Sequence, residues 1–90
     1  MPKVGNLIVP LVHSNGSSRD VLVEQRKEAC NLLHAALEQL CQMRPHGRDF
    51  LDHFEYQQAR DYHETRITQI RKMLEELRDE AIAIQVQGRK

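Results

Sequence analysis

The stretch Ile67-Thr68-Gln69-Ile70-Arg71-Lys72-Met73-Leu74-Glu75-Glu76-Leu77-Arg78-Asp79-Glu80-Ala81-Ile82-Ala83-Ile84 decides the fold. Within it Ile67, Ile70, Leu74, Leu77, Ala81 and Ile84 recur at alternating steps of three and four. That is the rhythm of a helix that lies against another helix. A partner stands upstream, an amphipathic run from Val21 to Met43, separated from the second helix by Arg44-Pro45-His46-Gly47. Long helices joined by a short connection run antiparallel. The sequence therefore predicts an all-α fold, an antiparallel two-helix hairpin with helices over about 18–43 and 50–86. An extended N-terminal arm, 1–16, precedes the hairpin domain, 17–90.

Moving outward, Asn15-Gly16 is a turn signal. Ser17 is the expected N-cap of the first helix, its side chain accepting from the backbone of Asp20 while Asp20 reaches back. Pro45 ends that helix, because the residue before a proline is driven out of the α region. The apolar face in between is broader than one partner requires. One stripe, Leu22, Gln25, Ala29, Leu32, Ala36, Leu40 and Met43, is assigned to the second helix as the hairpin seam. A neighbouring stripe, Cys30, Leu33, Leu37 and Cys41, is left for either the arm or a second protomer.

At the turn, Gly47 is expected in the left-handed conformation of a tight connection. Asp49 and Asp52 compete to start the second helix, and Asp52-His53-Phe54-Glu55 has the better capping-box form. Phe50, Leu51 and Phe54 are expected to plug this end of the hairpin. The seam continues upstream of Ile67 through Tyr56, Ala59 and His63, and Gly88 is the expected C-terminal cap. Glu75–Arg71 and Glu76–Lys72 are spaced for ion pairs on an outer, solvated face.

The arm contains Leu7-Ile8-Val9-Pro10-Leu11-Val12. Pro10 removes a ladder donor and holds Val9 extended. A strap along the hairpin is favoured over an edge strand, because only Ile82, Ile84 and Val86 offer a strand partner and they overlap the seam.

Ninety residues make one domain near the lower limit for a self-sufficient core. Two helices give each other one stripe of burial apiece, so a hairpin of this size calls for a third element or a second copy. The 13 basic and 13 acidic residues cancel, which leaves little electrostatic protection against self-association. By segment the charge is +1 over 1–20, 0 over 21–44, −2 over 45–66 and +1 over 67–90. No segment carries the basic excess of a nucleic-acid or anionic-membrane binder.

Cys30 and Cys41 lie roughly 16 Å apart on one helix, too far for a disulfide, and are expected as buried thiols. His53 and His63 are separated by about 15 Å, and the cluster His46, Asp49, Asp52 and His53 reads as caps and solvated turn residues. No phosphate loop, nucleophile elbow or zinc spacing occurs. No catalytic residue, cofactor or metal is expected. The run Leu7–Val12 is too short and broken for a secretory leader, and no stretch has the length of a membrane span.

Three stretches resemble a group of small, uncharacterised proteins of bacteriophages and prophages. His13-Ser14-Asn15-Gly16-Ser17-Ser18-Arg19-Asp20 with Leu22, Glu24 and Gln25 is similar to a pattern HxNGTS followed by LxEQ. Pro45-His46-Gly47-Arg48-Asp49-Phe50 looks like PNGRDY with His46 in place of asparagine, and Leu51 departs from the second aromatic usual after it. Ala59-Arg60 with His63 and Arg66 resembles an AR-x-x-H-x-x-R run. The resemblance implies a helical hairpin in a phage setting, either in the cytoplasm of a bacterial host or with the virion. It implies no reaction. Arg48 is expected to reach the last carbonyls of the first helix while Asp49 caps the second, with a partner-binding tip as the alternative.

The function expected from these features is a non-enzymatic, self-associating hairpin. It would form a homodimer as a four-helix bundle and serve as a phage structural or assembly accessory, with another phage protein as a further partner. The alternative is a small nucleic-acid-associated regulator, which would need a basic surface assembled across protomers.

Overall fold

Helix formation in this chain is set at both starts by a side chain that accepts a backbone N–H. A computed structural model describes residues 3–87. Helix α1 runs Arg19–Gln42 and helix α2 runs His53–Gln85, about 36 Å and about 50 Å long at helical rise. They pack against each other as an antiparallel hairpin. Ser18, not Ser17, caps α1: its Oγ accepts from Val21 N–H at 3.2 Å. Asp20 is exposed one residue into the helix. Asp52 caps α2, accepting from Phe54 N–H at 2.9 Å.

Between the helices, Gly47–Asp49 forms one 3-10 turn. Asp49 therefore lies in that turn, and α2 begins at His53 rather than near 50. Gly47 is not left-handed; Gly5 holds the one positive φ among the described residues, 58°. Leu51 and Phe54, expected as a plug, are exposed, and only Phe50 turns inward, its ring 6.0 Å from that of Tyr56. The helix-end role expected of Gly88 lies outside the described residues.

The arm is more structured than a plain strap. Strands β1 (Lys3–Val4) and β2 (Leu7–Ile8) pair antiparallel, Lys3 with Ile8 and Val4 with Leu7. The strand partner is thus within the arm, not at Ile82–Val86, because Gly5-Asn6 allows so tight a reversal. β1 lies against α2. Val9 then packs with Val23 and Ile84 in a small core flanked by Val12, Leu22 and Ala83.

Gln87 ties this end together. Its Oε1 accepts from Val12 N–H at 2.8 Å, and its Nε2 donates to Pro10 C=O at 2.8 Å. Its own carbonyl accepts from the Arg19 guanidinium. Arm, α1 start and α2 end are joined through one residue. The whole measures 60 × 23 × 20 Å with a radius of gyration of 18.4 Å, well above the ~12 Å of a compact chain this long. Among the described residues no helix is long and apolar enough to cross a membrane.

Candidate functional site: an open groove between the helices

The face that α1 turns to α2 follows the heptad Arg19, Arg26, Leu33 and Leu40, all half-buried. Two of its four positions are arginines, so a reading by apolar residues alone slides round the helix and misses it. The arginines fit because their stems cover apolar surface while their heads reach polar partners, although Arg19 Nε itself is buried without one. Arg26 Nε donates to Glu80 Oε1 at 3.2 Å, each side chain 17% exposed. Glu80 accordingly faces α1. Among the described residues neither Glu75–Arg71 nor Glu76–Lys72 forms an ion pair; Lys27–Glu24 does, at 3.7 Å.

On α2, Ile67 and Ile84 are buried, and Ile70, Leu74, Leu77 and Ala81 are half-buried. On α1, Leu22, Ala29 and Leu40 are half-buried, whereas Leu32 is 64% exposed and Ala36, Gln25 and Met43 are exposed as well. Leu32 and Ala36 are therefore not part of the seam. The reason is angular. The contact arc lies between the two apolar stripes and takes residues from each, leaving the outer edge of the first in solvent.

Cys30, Leu33 and Leu37, expected to await another partner, are half-buried beside α2, and Cys41 is exposed. The arm does not cover them. It sits on the Leu22 and Ala83 side. Between the helices, starting at Val23 where Val9 of the arm packs, is an open groove of about 760 Å³. Its floor is Val23, Cys30 and Leu37 from α1 and Leu74, Leu77 and Ala81 from α2. Val23, Cys30 and Leu37 are spaced by seven, as are Leu74 and Ala81, so each wall drifts by only about 20° per heptad around its helix. The exposed charges on its rim are Lys27, Arg71, Arg78 and Glu75.

Two other candidates resolve into local structure. His13 accepts from Asn15 N–H through Nδ1 at 3.3 Å, and its carbonyl accepts from Gly16 N–H at 3.2 Å. A side chain at Gly16 would meet the His13 ring at 2.7 Å. The His13-Ser14-Asn15-Gly16 stretch is thus a self-bonded turn that delivers Ser18 to its cap position. At the other end, Pro45 is half-buried, Gly47, Arg48 and Asp49 are exposed, and none of the observed side-chain bonds involves Arg48. His63 is 3% exposed, and its Nε2 has no hydrogen-bond partner.

Among the described residues no three His, Cys, Asp or Glu side chains gather in an arrangement for a metal ion. The groove offers apolar area and charge, the materials of a binding surface. Sequence reasoning missed Val23, Arg26 and Gln87; the seven-residue spacing of Val23, Cys30 and Leu37 is the signal that finds the groove wall. No protein-family model, no curated protein and no solved structure matches the chain.

Proposed function

We propose that this chain is a non-enzymatic, self-associating helical hairpin that acts as an assembly or interaction module in a phage or prophage setting. The observation that carries the reading is the open groove. Its six floor residues are apolar, and it runs along the seam where a third helix of a bundle would lie. The thin core supports it: among the described residues only Val9, Val23, Ile67 and Ile84 are buried hydrophobics. Further apolar surface is open to solvent at Leu32, Met43, Phe54 and Tyr62. A second hairpin seated along the groove would complete a four-helix bundle.

The phage setting draws on the resemblance at His13–Gln25, Pro45–Phe50 and Ala59–Arg66. Residence in the bacterial cytoplasm or on the virion goes with it. Light scattering on a size-exclusion column tests the self-association. At micromolar concentration the expected mass is two chains or more; a fully helical single chain at that concentration contradicts the reading.

A further inference from the structure

Resting on that reading of self-association, we propose that copies join head to tail, the outer face of α1 in one copy seating in the α1–α2 groove of the next. The occupant is identified by charge and by position. The groove has an apolar floor, and its rim carries three exposed cations, Lys27, Arg71 and Arg78, against one exposed acid, Glu75. Lys27 is engaged by Glu24 of its own helix. Arg71 and Arg78 have no ion-pair partner within the chain among the described residues. A groove of this kind takes an amphipathic helix bordered by carboxylates.

Such a helix face exists on the chain itself. Val21, Leu32, Ala36 and Met43 fall within about 60° of one another around α1 at 100° per residue, an arc they share with Gln25 and Gln39, and all six are exposed. Glu24, which pairs with Lys27 of its own helix, and Glu28, which has no ion-pair partner among the described residues, border that stripe one turn from Val21 and Leu32 respectively. The stripe and the groove wall Val23–Cys30–Leu37 lie on nearly opposite sides of α1. Each copy therefore offers its groove and donates its stripe at the same time, which makes the contact heterologous and lets it propagate. The groove spans Val23 to Leu37, about 21 Å, which accommodates Val21 to Ala36, about 22 Å, while Met43 lies about 10 Å further along the helix. Pairing groove with groove across a twofold axis fits less well. It would gather Arg71 and Arg78 of both copies around one apolar seam and leave Leu32 in water.

Sedimentation of the full chain and two variants tests the arrangement. Leu32→Glu spoils the donated face and keeps the groove; Arg71→Glu with Arg78→Glu reverses the rim and keeps the donated face. All three side chains are exposed, so both variants should keep the wild-type helical circular dichroism. Wild type is expected to exceed two chains, growing with concentration and shrinking as salt rises. Each variant alone should associate about a hundredfold more weakly. Mixed in equal amounts they should form one-to-one pairs and nothing larger, because one intact stripe meets one intact groove. Adding Glu24→Arg and Glu28→Arg to the rim variant should restore its assembly. If wild type is a single chain, self-association itself fails and this geometry with it. If wild type assembles but Leu32→Glu assembles equally well, or the mixture stays monomeric, self-association stands and the head-to-tail geometry is overturned.

Discussion

Three residues set how this hairpin is held, and none of them is apolar. Arg26 occupies a seam position and reaches Glu80, Gln87 bonds the arm, and His63 is buried with its Nε2 unpartnered. The first two are polar groups with partners, and the third is not. A buried polar atom left without a hydrogen bond costs free energy that an apolar side chain of similar size avoids. Replacing His63 by Leu is therefore expected to raise stability by about 1 kcal/mol, read as a higher urea midpoint with unchanged slope. A lower midpoint would mean that the imidazole is satisfied in solution.

The same scale explains what the sequence disclosed. Ile67, Ile70, Leu74, Leu77, Ala81 and Ile84 are legible because from Ile67 onward α2 presents an apolar residue at each seam position. On α1 the seam heptad is half arginine, and apolar periodicity then points to Leu32 and Ala36, which are exposed. Cap chemistry was legible to within one residue. Ser17 and Ser18 are chemically identical, and only the local turn, with the His13 ring over Gly16, selects Ser18.

At the scale of elements, the arm depends on α2 rather than on its own pairing. Its strands have two residues each, and so short a hairpin has little stability alone. Val9 in the core and the two Gln87 side-chain bonds hold it to the helix ends. Gln87→Ala removes both bonds and is expected to cost about 1–2 kcal/mol. Hydrogen exchange should locate the effect: faster at Val12 and the arm, unchanged along the middle of α2. Uniform acceleration through both helices would show that the arm is not a separable element. The strap was legible from Pro10 and the aliphatic run. The β1–β2 reversal was not, since it turns on a left-handed Gly5 that four isolated strand residues do not announce.

For the whole molecule the decisive feature is its shape. A chain with 60 Å and 20 Å extents keeps most residues near solvent, and the groove between α1 and α2 runs from Val23, where the arm packs, on to Leu37. The hairpin itself follows from periodicity and from Pro45. The groove does not, because it depends on which side the arm takes, and that choice is made by Val9, Val23 and Ile84 meeting in three dimensions.

The two cysteines report directly on whether a second copy fills the groove. Cys30 lines its floor, whereas Cys41 is exposed beyond the residues that line it. Thiol labelling of the unmodified chain, followed residue by residue at low and high protein concentration, reads the two separately. Cys30 is expected to react progressively more slowly as concentration rises while Cys41 keeps its rate. Equal, concentration-independent labelling of both thiols would contradict it.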